Sequence, residues 1–264
     1  MSTDRLLLLA PRINETGLQL LTAARSRGLS ARTATAWRAP ADAPPLVHLY
    51  GGPLFADAVG RELGLAALEE LPGWLAGLPP ELTRRSIELL TLAEARGLRR
   101  PAFCKPPSDK LFAARVYPDG SGLPGPDALP DDTAVLVSEV VTFRREYRLF
   151  VLDGRVRTGS RYALDGDLDV APLDRDPLHR EVAAFAAEVL TACAAGLPSA
   201  VVVDVGLLAD GRWAVVEANP AWASGGYACE PDAVLDVVLR AAGPLTELRP
   251  TDRPYCRELP VVTG

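Results

Sequence analysis

Two Asp-Gly dipeptides constrain the fold of this chain more than any other feature of its sequence. Each stands between two runs of strand-forming residues: Val141–Leu152 and Arg155–Tyr162 flank Asp153-Gly154, and Ala200–Leu208 and Arg212–Asn219 flank Asp210-Gly211. Asp-Gly favours the tight two-residue turn that joins neighbouring antiparallel strands. The sequence therefore predicts two β-hairpins in its second half.

The second hairpin brings oxygen ligands together. With a two-residue turn at Asp210-Gly211, Asp204 lies directly opposite Glu217. Asn219 follows two residues later on the same face of the sheet. Directly opposed like charges destabilise a sheet, and a Mg²⁺ ion held by these oxygens would neutralise them. A solvated polar face with its charges splayed apart is the alternative, because the other face of the hairpin is apolar.

The first hairpin predicts a charged face. A two-residue turn at Asp153-Gly154 places Glu146 opposite Arg161 and Arg148 opposite Gly159. The charged face then carries Glu146, Arg148, Arg157 and Arg161, and the core face carries Tyr147, Leu149, Val151, Val156 and Tyr162. Guanidinium groups arranged in this way bind phosphate oxygens. The face is therefore either an anion-binding wall or a surface sheet with a cross-strand ion pair.

Lysine is scarce in this chain. Of its 28 basic residues only Lys105 and Lys110 are lysines, and they lie five positions apart. A compact ammonium differs from a planar guanidinium fork, and phosphate sites often use that difference. The pair predicts a phosphate contact, although two solvated lysines would give the same sequence. The glycine patterns of P-loops and dinucleotide-binding folds do not occur in the sequence.

The rest of the chain predicts a mixture of helices and strands. About the first 75 residues alternate strands (Leu6–Ala10, Leu29–Thr35, Leu46–Tyr50) with helices (Gly17–Arg27, Leu54–Leu63), which predicts a small parallel α/β lobe. Leu71–Pro80 is rich in Pro and Gly and is interpreted as a linker. Further predicted helices are Glu81–Arg96, His179–Ala194 and Pro231–Ala242, and further strands are Arg100–Lys105, Ala113–Tyr117 and Ala134–Ser138. Pro244–Gly264 predicts no element.

Composition and charge exclude several classes of protein. The net charge of −6 argues against general nucleic-acid binding, which needs a basic face. No apolar run approaches the roughly 20 residues of a membrane span, and the opening residues predict a strand rather than a signal peptide. The four cysteines and two histidines lack the spacing of a metal site. We therefore expect a cytoplasmic protein with no nucleic-acid or membrane partner.

Charged motifs follow one another in a recognisable order over about residues 100–240. They are Phe103-Cys104-Lys105-Pro106, Val137–Val141 around Glu139, Glu146-Tyr147-Arg148, Ser160-Arg161-Tyr162, Val203-Asp204-Val205 and Val215–Pro220. This order resembles the ATP-grasp superfamily, and most nearly its glutamate-ligase type, in which an acid-x-Arg strand and a terminal Glu-x-Asn recur.

The resemblance implies an ATP-grasp fold of the α/β class, in which α+β lobes clasp ATP. Residues 1–75 would form a pre-grasp α/β lobe, residues 76–138 the small lobe, and residues 139–264 the large lobe with the metal site. The implied cofactors are ATP and Mg²⁺, with two ions expected.

The resemblance also implies roles for particular residues. The nucleotide would be bound by Lys105, Lys110, Glu139, Val140, Val141, Glu146 and Arg148, with adenine at the Glu139–Val141 hinge. The transferring group would be stabilised by Arg148, Arg161 and Lys110. The metal would be held by Asp204, Glu217 and Asn219.

The implied activity is that of a ligase. Members of the superfamily join a carboxylate to an amine through an acyl-phosphate, so we expect small-molecule or peptide substrates and a monomer or homodimer. A phosphotransferase on the same fold and a nucleotide-binding module without turnover are the alternatives. The chain departs from the family pattern at Pro106–Phe112, where no glycine can form a phosphate-covering lid and Lys110 stands instead. The loop Pro118–Asp132 is a second candidate lid, and Trp222–Tyr227 is either an acceptor-binding loop or core packing.

Overall fold

The computed structural model describes residues 5–12, 14–107, 110–193 and 196–261 of the 264-residue chain. Ala194, at the end of the predicted helix His179–Ala194, lies outside these ranges, as do the last three residues of the predicted tail. Within them, no helix combines the length and the apolar character needed to cross a bilayer.

The N-terminal part contains the parallel sheet that the alternation of strands and helices predicts. Its elements are β1 (Arg5–Leu9), α1 (Glu15–Ser26), β2 (Ser30–Thr33), β3 (Leu46–Tyr50), α2 (Pro53–Val59) and β4 (Leu65–Ala67). The sheet has the order β2-β1-β3, and both pairings are parallel. Helix α2 ends four residues before the predicted Leu63, because Gly60 and the left-handed Gly64 (φ 60°) let the chain turn away.

A four-stranded antiparallel sheet, which we call the small sheet, follows. Its elements are α3 (Pro80–Thr83), β5 (Ile87–Thr91), α4 (Leu92–Ala95), β6 (Ala102–Lys105), β7 (Arg115–Tyr117) and β8 (Ala134–Ser138). The strand order is β5-β8-β6-β7. The prediction of β8 is confirmed to the residue, and those of β6 and β7 are confirmed with shorter bounds.

The predicted helix at Glu81–Arg96 is wrong. Its middle is strand β5, which pairs antiparallel with β8, and only one helical turn remains on each side. Thr91 ends the strand and caps α4, since its Oγ1 accepts from the Glu94 amide at 3.2 Å while the Glu94 carboxylate accepts from the Thr91 amide at 2.8 Å. Apolar residues at helix-like spacing over a short run do not distinguish these two structures.

A five-stranded antiparallel sheet, the large sheet, contains both predicted hairpins. Its elements and those that follow are β9 (Phe143–Leu152), β10 (Arg155–Leu164), β11 (Asp167–Pro172), α5 (His179–Ala192), β12 (Ala200–Leu208), β13 (Trp213–Asn219), α6 (Pro231–Ala241) and β14 (Ala242–Pro244). The strand order is β11-β10-β9-β12-β13. Contrary to prediction, the tail after Ala241 is structured: β14 pairs with β4, and Pro250–Tyr255 forms a 3₁₀-helix.

The large sheet separates two apolar cores. Alternate residues of its strands divide between them, so that Phe150 and Val202 face the first core, whereas Leu149 and Val203 face the second. The first core joins the N-terminal sheet to α6, and the second lies under α5. The predicted linker Leu71–Pro80 also packs here, because Trp74, Leu75 and Leu78 are buried in the second core. A third, smaller core lies on the small sheet.

Candidate active site

A cavity of about 810 Å³ opens between the small sheet and the large sheet. Its lining includes most of the residues that the sequence assigned to nucleotide and metal: Lys105, Lys110, Glu139, Val140, Val141, Glu146, Glu217 and Asn219. These residues come from β6, from the segment after β8, and from β9 and β13. The fold therefore brings together side chains that are more than a hundred residues apart.

The register of the second hairpin gives the predicted opposition of carboxylates. Asp204 pairs with Glu217, and Val202 pairs with Asn219. The predicted two-residue turn is wrong, however, because Leu208 rather than Ala209 bonds Arg212, with its amide donating to the Arg212 carbonyl at 2.8 Å. The register shifts by one residue between Asp204 and Val205, and this β-bulge restores the predicted pairing at the site.

Each of the opposed carboxylates has its own cation. Asp204 is fully buried, and the Arg148 guanidinium donates to both of its oxygens, from Nε at 3.0 Å and from Nη2 at 2.6 Å. The Lys105 ammonium forms an ion pair with Glu217. Like-charge repulsion in the sheet is therefore balanced by two basic side chains of the chain itself.

Ion pairing shifts the ionisation of the buried groups. Burial alone would raise the pKa of Glu217, but the Lys105 charge and hydrogen bonds from Asn219 and Lys105 hold that pKa below its usual range. Burial likewise opposes the charge of Arg148, and the Asp204 carboxylate nonetheless raises the pKa of Arg148 above its ordinary value. Glu217 and Arg148 are thus charged at neutral pH.

The oxygen ligands partly fit a Mg²⁺ ion. The Asn219 Nδ2 donates to Glu217 Oε1 at 2.8 Å, which directs the Asn219 carbonyl oxygen away from that carboxylate and leaves it available as a ligand. Glu217 and Asn219 both line the cavity. Asp204 has both oxygens engaged by Arg148, so it would serve as a ligand only if Arg148 released one. No group of three His, Cys, Asp or Glu side chains in the described ranges is placed to hold a metal.

The predicted register of the first hairpin is wrong. Two bulges shift it, so that Arg148 pairs with Ser160, Arg161 with Tyr147, and Glu146 with Ala163. An extra residue reverses the alternation of side chains along a strand. Arg161 therefore lies on the face opposite Arg148, where its Nε donates to Asp169 at 3.1 Å and its Nη1 pairs with Asp176. The structure does not bring Arg161 into the cavity.

The same shift moves Tyr162 from the predicted core into the cavity. Its hydroxyl donates to Glu146 Oε2 at 2.8 Å, and its ring stacks on Tyr227 with the ring centres 5.2 Å apart. The Arg148 guanidinium lies 5.6 Å from the ring centre of Tyr162 and 5.2 Å from that of Tyr227. Burial, with the nearby carboxylates Asp204 and Glu217, raises the pKa of Glu146. Sequence reasoning missed this aromatic pair, because the bulges that create it leave no signature in the residue pattern.

The predicted adenine hinge is built around Glu139. Its amide donates to the Ser86 carbonyl at 3.0 Å, and its carboxylate accepts from the Ser86 amide at 2.7 Å. Glu139 thus ties the end of β8 to the segment before β5, whereas Val140 and Val141 line the cavity. Val140 is 50% exposed, which suits a residue that a planar base would cover.

The two candidate lids behave differently. Lys110 is exposed and lies on the cavity wall beside Phe112, next to the undescribed Ser108 and Asp109. No described residue of Pro118–Asp132 lines the cavity. That loop packs against the small sheet instead, with the Gly120 amide donating to the Leu98 carbonyl at 3.0 Å.

The loop after Asn219 is anchored by the N-terminal sheet. Trp222 is fully buried and its Nε1 donates to the Leu68 carbonyl at 2.8 Å, so its packing role is confirmed. The Tyr50 hydroxyl donates to the Ser224 carbonyl at 3.1 Å. The carbonyl of Gly225, in the same loop, accepts from Arg148 Nη1 at 3.3 Å. The N-terminal part of the chain therefore helps to position Arg148.

Sequence reasoning missed Arg85 altogether. This side chain lines the cavity and donates to the carbonyls of Val215 and Val216 at 2.7 and 3.0 Å. It also donates to Ser138 Oγ at 3.1 Å. Nothing in the local sequence, which has two adjacent arginines, distinguished it from a surface residue.

Two sheets that enclose a cavity, with lysine on one and a carboxylate–amide set on the other, define an ATP-grasp fold. The model of one ATP-grasp domain family, the second family of its clade, matches residues 82–237, and the chain belongs to this family. A search of curated protein sequences gives no match.

Solved structures show the same fold. The ATP-grasp ligase PsnB complexed with minimal precursor is 16% identical, with 91% of this chain and 100% of that chain covered and a TM-score of 0.50. The L-amino acid ligase from Bacillus licheniformis is 14% identical, with 83% of this chain and 67% of that chain covered and a TM-score of 0.52. At these identities the similarity concerns the fold alone.

Proposed function

We propose that the protein is an ATP- and Mg²⁺-dependent ligase that joins a carboxylate to an amine through an acyl-phosphate. The observation that carries the proposal is the meeting of Lys105, Glu217 and Asn219 in one cavity between two sheets. A phosphate-binding cation and metal-binding oxygens are the two requirements of phosphoryl transfer, which depends on positioning and charge neutralisation. Membership of the ATP-grasp family supports the same assignment.

The cavity offers each part of ATP a matching surface. Its apolar end, with Leu136, Val141 and Phe143, suits the base. At the other end Lys105 and Lys110 supply charge for the phosphates. Phosphate binding requires Lys105 to exchange its partner Glu217 for phosphate oxygens, which frees the Glu217 carboxylate for the metal.

Glu217 and Asn219 would hold Mg²⁺, with Asp204 as the further candidate ligand. When bound, the ion supplies neutralisation of the charge that builds up on the phosphate oxygens. The chain's own contribution is to hold these oxygens on one face of the sheet and to keep Arg148 beside them.

The proposed reaction has two steps. A substrate carboxylate oxygen attacks the γ-phosphorus of ATP, the bond to the β–γ bridging oxygen breaks, and ADP leaves. The amine then attacks the carbonyl carbon of the acyl-phosphate, phosphate leaves with the electrons of the C–O bond, and the nitrogen gives up a proton to phosphate or water. Arg148 uses three of its five N–H groups on Asp204 and Gly225, so two remain for the negative charge of the transferring group.

The proposed substrates are small-molecule or peptide carboxylates and amines, and the test is product release. The protein is incubated with MgATP and panels of carboxylates, with and without amines, and ADP and phosphate are measured. ADP release that requires both a carboxylate and an amine supports the ligase. Release of ADP with a phosphorylated carboxylate but no need for an amine would identify a phosphotransferase, and binding of MgATP without any turnover would identify a binding module.

A further inference from the structure

Strand β13 contains one extra residue next to the metal-ligand candidates. Between the turn and the site, Val205 pairs with Val215, but Asp204 pairs with Glu217. Val216 is therefore the bulged residue, without an opposite partner on β12. It immediately precedes Glu217.

This bulge decides which face Glu217 occupies. Side chains alternate strictly along a regular strand. If the register at Val205 continued unchanged, Glu217 would lie opposite Val203, whose side chain is in the second core. The extra residue turns Glu217 to the face of Asp204, and Asn219 follows it.

Arg85 binds the backbone of the bulge. Its Nη1 donates to the Val215 carbonyl at 2.7 Å and its Nη2 to the Val216 carbonyl at 3.0 Å. Carbonyls of consecutive residues point in opposite directions in a regular strand, so one guanidinium can reach both only where the strand is distorted. Because β13 is an edge strand of the large sheet, Arg85 takes the place of a neighbouring strand there.

The same guanidinium reaches the small sheet. Its Nε donates to the hydroxyl of Ser138, the last residue of β8, and its Nη1 donates to the Thr83 carbonyl at 3.0 Å. The next residue, Ser86, holds Glu139. Arg85 thus connects the end of the hinge strand directly to the backbone that carries Glu217.

The charge of Arg85 is satisfied by neutral groups. Among the ion pairs of the described ranges none involves Arg85, and its acceptors are three carbonyls and one hydroxyl. Burial lowers its pKa to about 10, so the group is still a cation at neutral pH. A planar fork with several donors is what such a set of acceptors requires, and an ammonium could satisfy only part of it.

We propose that Arg85 is a positioning residue that holds the β13 bulge, and through it the placement of Glu217 and Asn219 for the metal of MgATP. This inference rests on the proposed function. It predicts that loss of Arg85 weakens binding of MgATP much more than binding of ATP without metal, because the base and phosphates keep their other contacts.

The test compares Arg85→Met and Arg85→Lys with wild type and with Arg96→Met. Arg96 is a matched control, because it donates to the Pro124 and Leu129 carbonyls and pairs with Asp131, all within the small-sheet region. Binding of ATP is measured by calorimetry with Mg²⁺ and with EDTA, and the thermal midpoint of each variant is recorded. Arg85→Lys keeps the charge, so it serves if Arg85→Met fails to fold.

We expect both Arg85 variants to lose about tenfold or more in MgATP affinity, as is typical when the groups that orient metal ligands are removed. Their affinity for ATP in EDTA should change less than about threefold, and Arg96→Met should match wild type in both. Folded Arg85 variants with wild-type MgATP binding would overturn the inference, as would equal losses with Mg²⁺ and with EDTA. A wild type that binds no MgATP would refute the proposed function itself, and the inference with it.

Discussion

The pair formed by Arg148 and Asp204 makes a quantitative prediction about stability. Asp204 is fully buried and the Arg148 side chain is 12% exposed, and two hydrogen bonds join them. Arg148→Met would leave a buried carboxylate without its cation, which typically costs about 3–5 kcal/mol. Asp204→Asn would leave a buried guanidinium without its anion, at a similar cost. For a domain stable by about 5–15 kcal/mol, either loss is a large fraction of the total.

The two losses should not add. Once one charge has gone, removing the other relieves an unpaired buried group, so the double variant should be more stable than the sum predicts by about 1–3 kcal/mol. Unfolding in urea, followed by fluorescence of the buried Trp222, measures all three free energies. The control is Arg157→Met, whose exposed pair with Asp236 at 3.3 Å should contribute at most about 1 kcal/mol.

The pH dependence of Arg148→Met supplies a second readout. Without its cation, buried Asp204 should take up a proton more readily in the folded than in the unfolded state. A folded-state pKa above the unfolded one favours folding at low pH, so the deficit of this variant should shrink as the pH falls. Additive losses within about 0.5 kcal/mol, together with a deficit independent of pH, would refute the reasoning.

Individual contacts elsewhere in the molecule make three more predictions. Glu217→Gln should abolish MgATP turnover and leave the thermal midpoint within a few degrees of wild type, because Lys105 keeps an oxygen acceptor; a wild-type rate of ADP release would contradict the metal assignment. Burial raises the pKa of Glu70 to about 8, and one of its oxygens is buried without a hydrogen bond. The stability that protonated Glu70 allows is present at low pH and is lost as the pH rises through about 8, so Glu70→Gln should be more stable than wild type at pH 9 but not at pH 5, and parallel midpoints at both pH values would argue against this. Thr91→Ala removes the cap shared with Glu94 and should destabilise the protein by about 1 kcal/mol in urea unfolding, whereas no change would question the strand-to-helix junction.

Much of the fold was predictable because its strongest signals are local. The Asp153-Gly154 turn is a left-handed pair (φ 50° and 71°), as an Asp-Gly sequence favours, and the first hairpin forms where this turn predicts. The helix predicted at Glu81–Arg96 failed for the opposite reason. Its central strand exists only because β8 lies beside it, and pairing with a distant strand leaves no periodic signal in so short a segment.

The site was predictable in its members more than in its geometry. Lysine scarcity and the opposed carboxylates identified Lys105, Glu217 and Asn219, and the cavity contains all three. Bulges determined the rest, because each one exchanges the faces of the residues beyond it. They removed Arg161 from the site and brought Tyr162 into it.

The central claim is that the cavity binds MgATP through Lys105. Calorimetric titration of ATP, with Mg²⁺ and with EDTA, into wild type, Lys105→Ala and the surface control Arg144→Ala tests it directly; Arg144 is 61% exposed. We predict Mg²⁺-dependent binding to wild type and to the control, and loss of that binding in Lys105→Ala. Binding that survives in Lys105→Ala would contradict the assigned site, and no binding to the wild type under either condition would contradict the proposed ligase altogether.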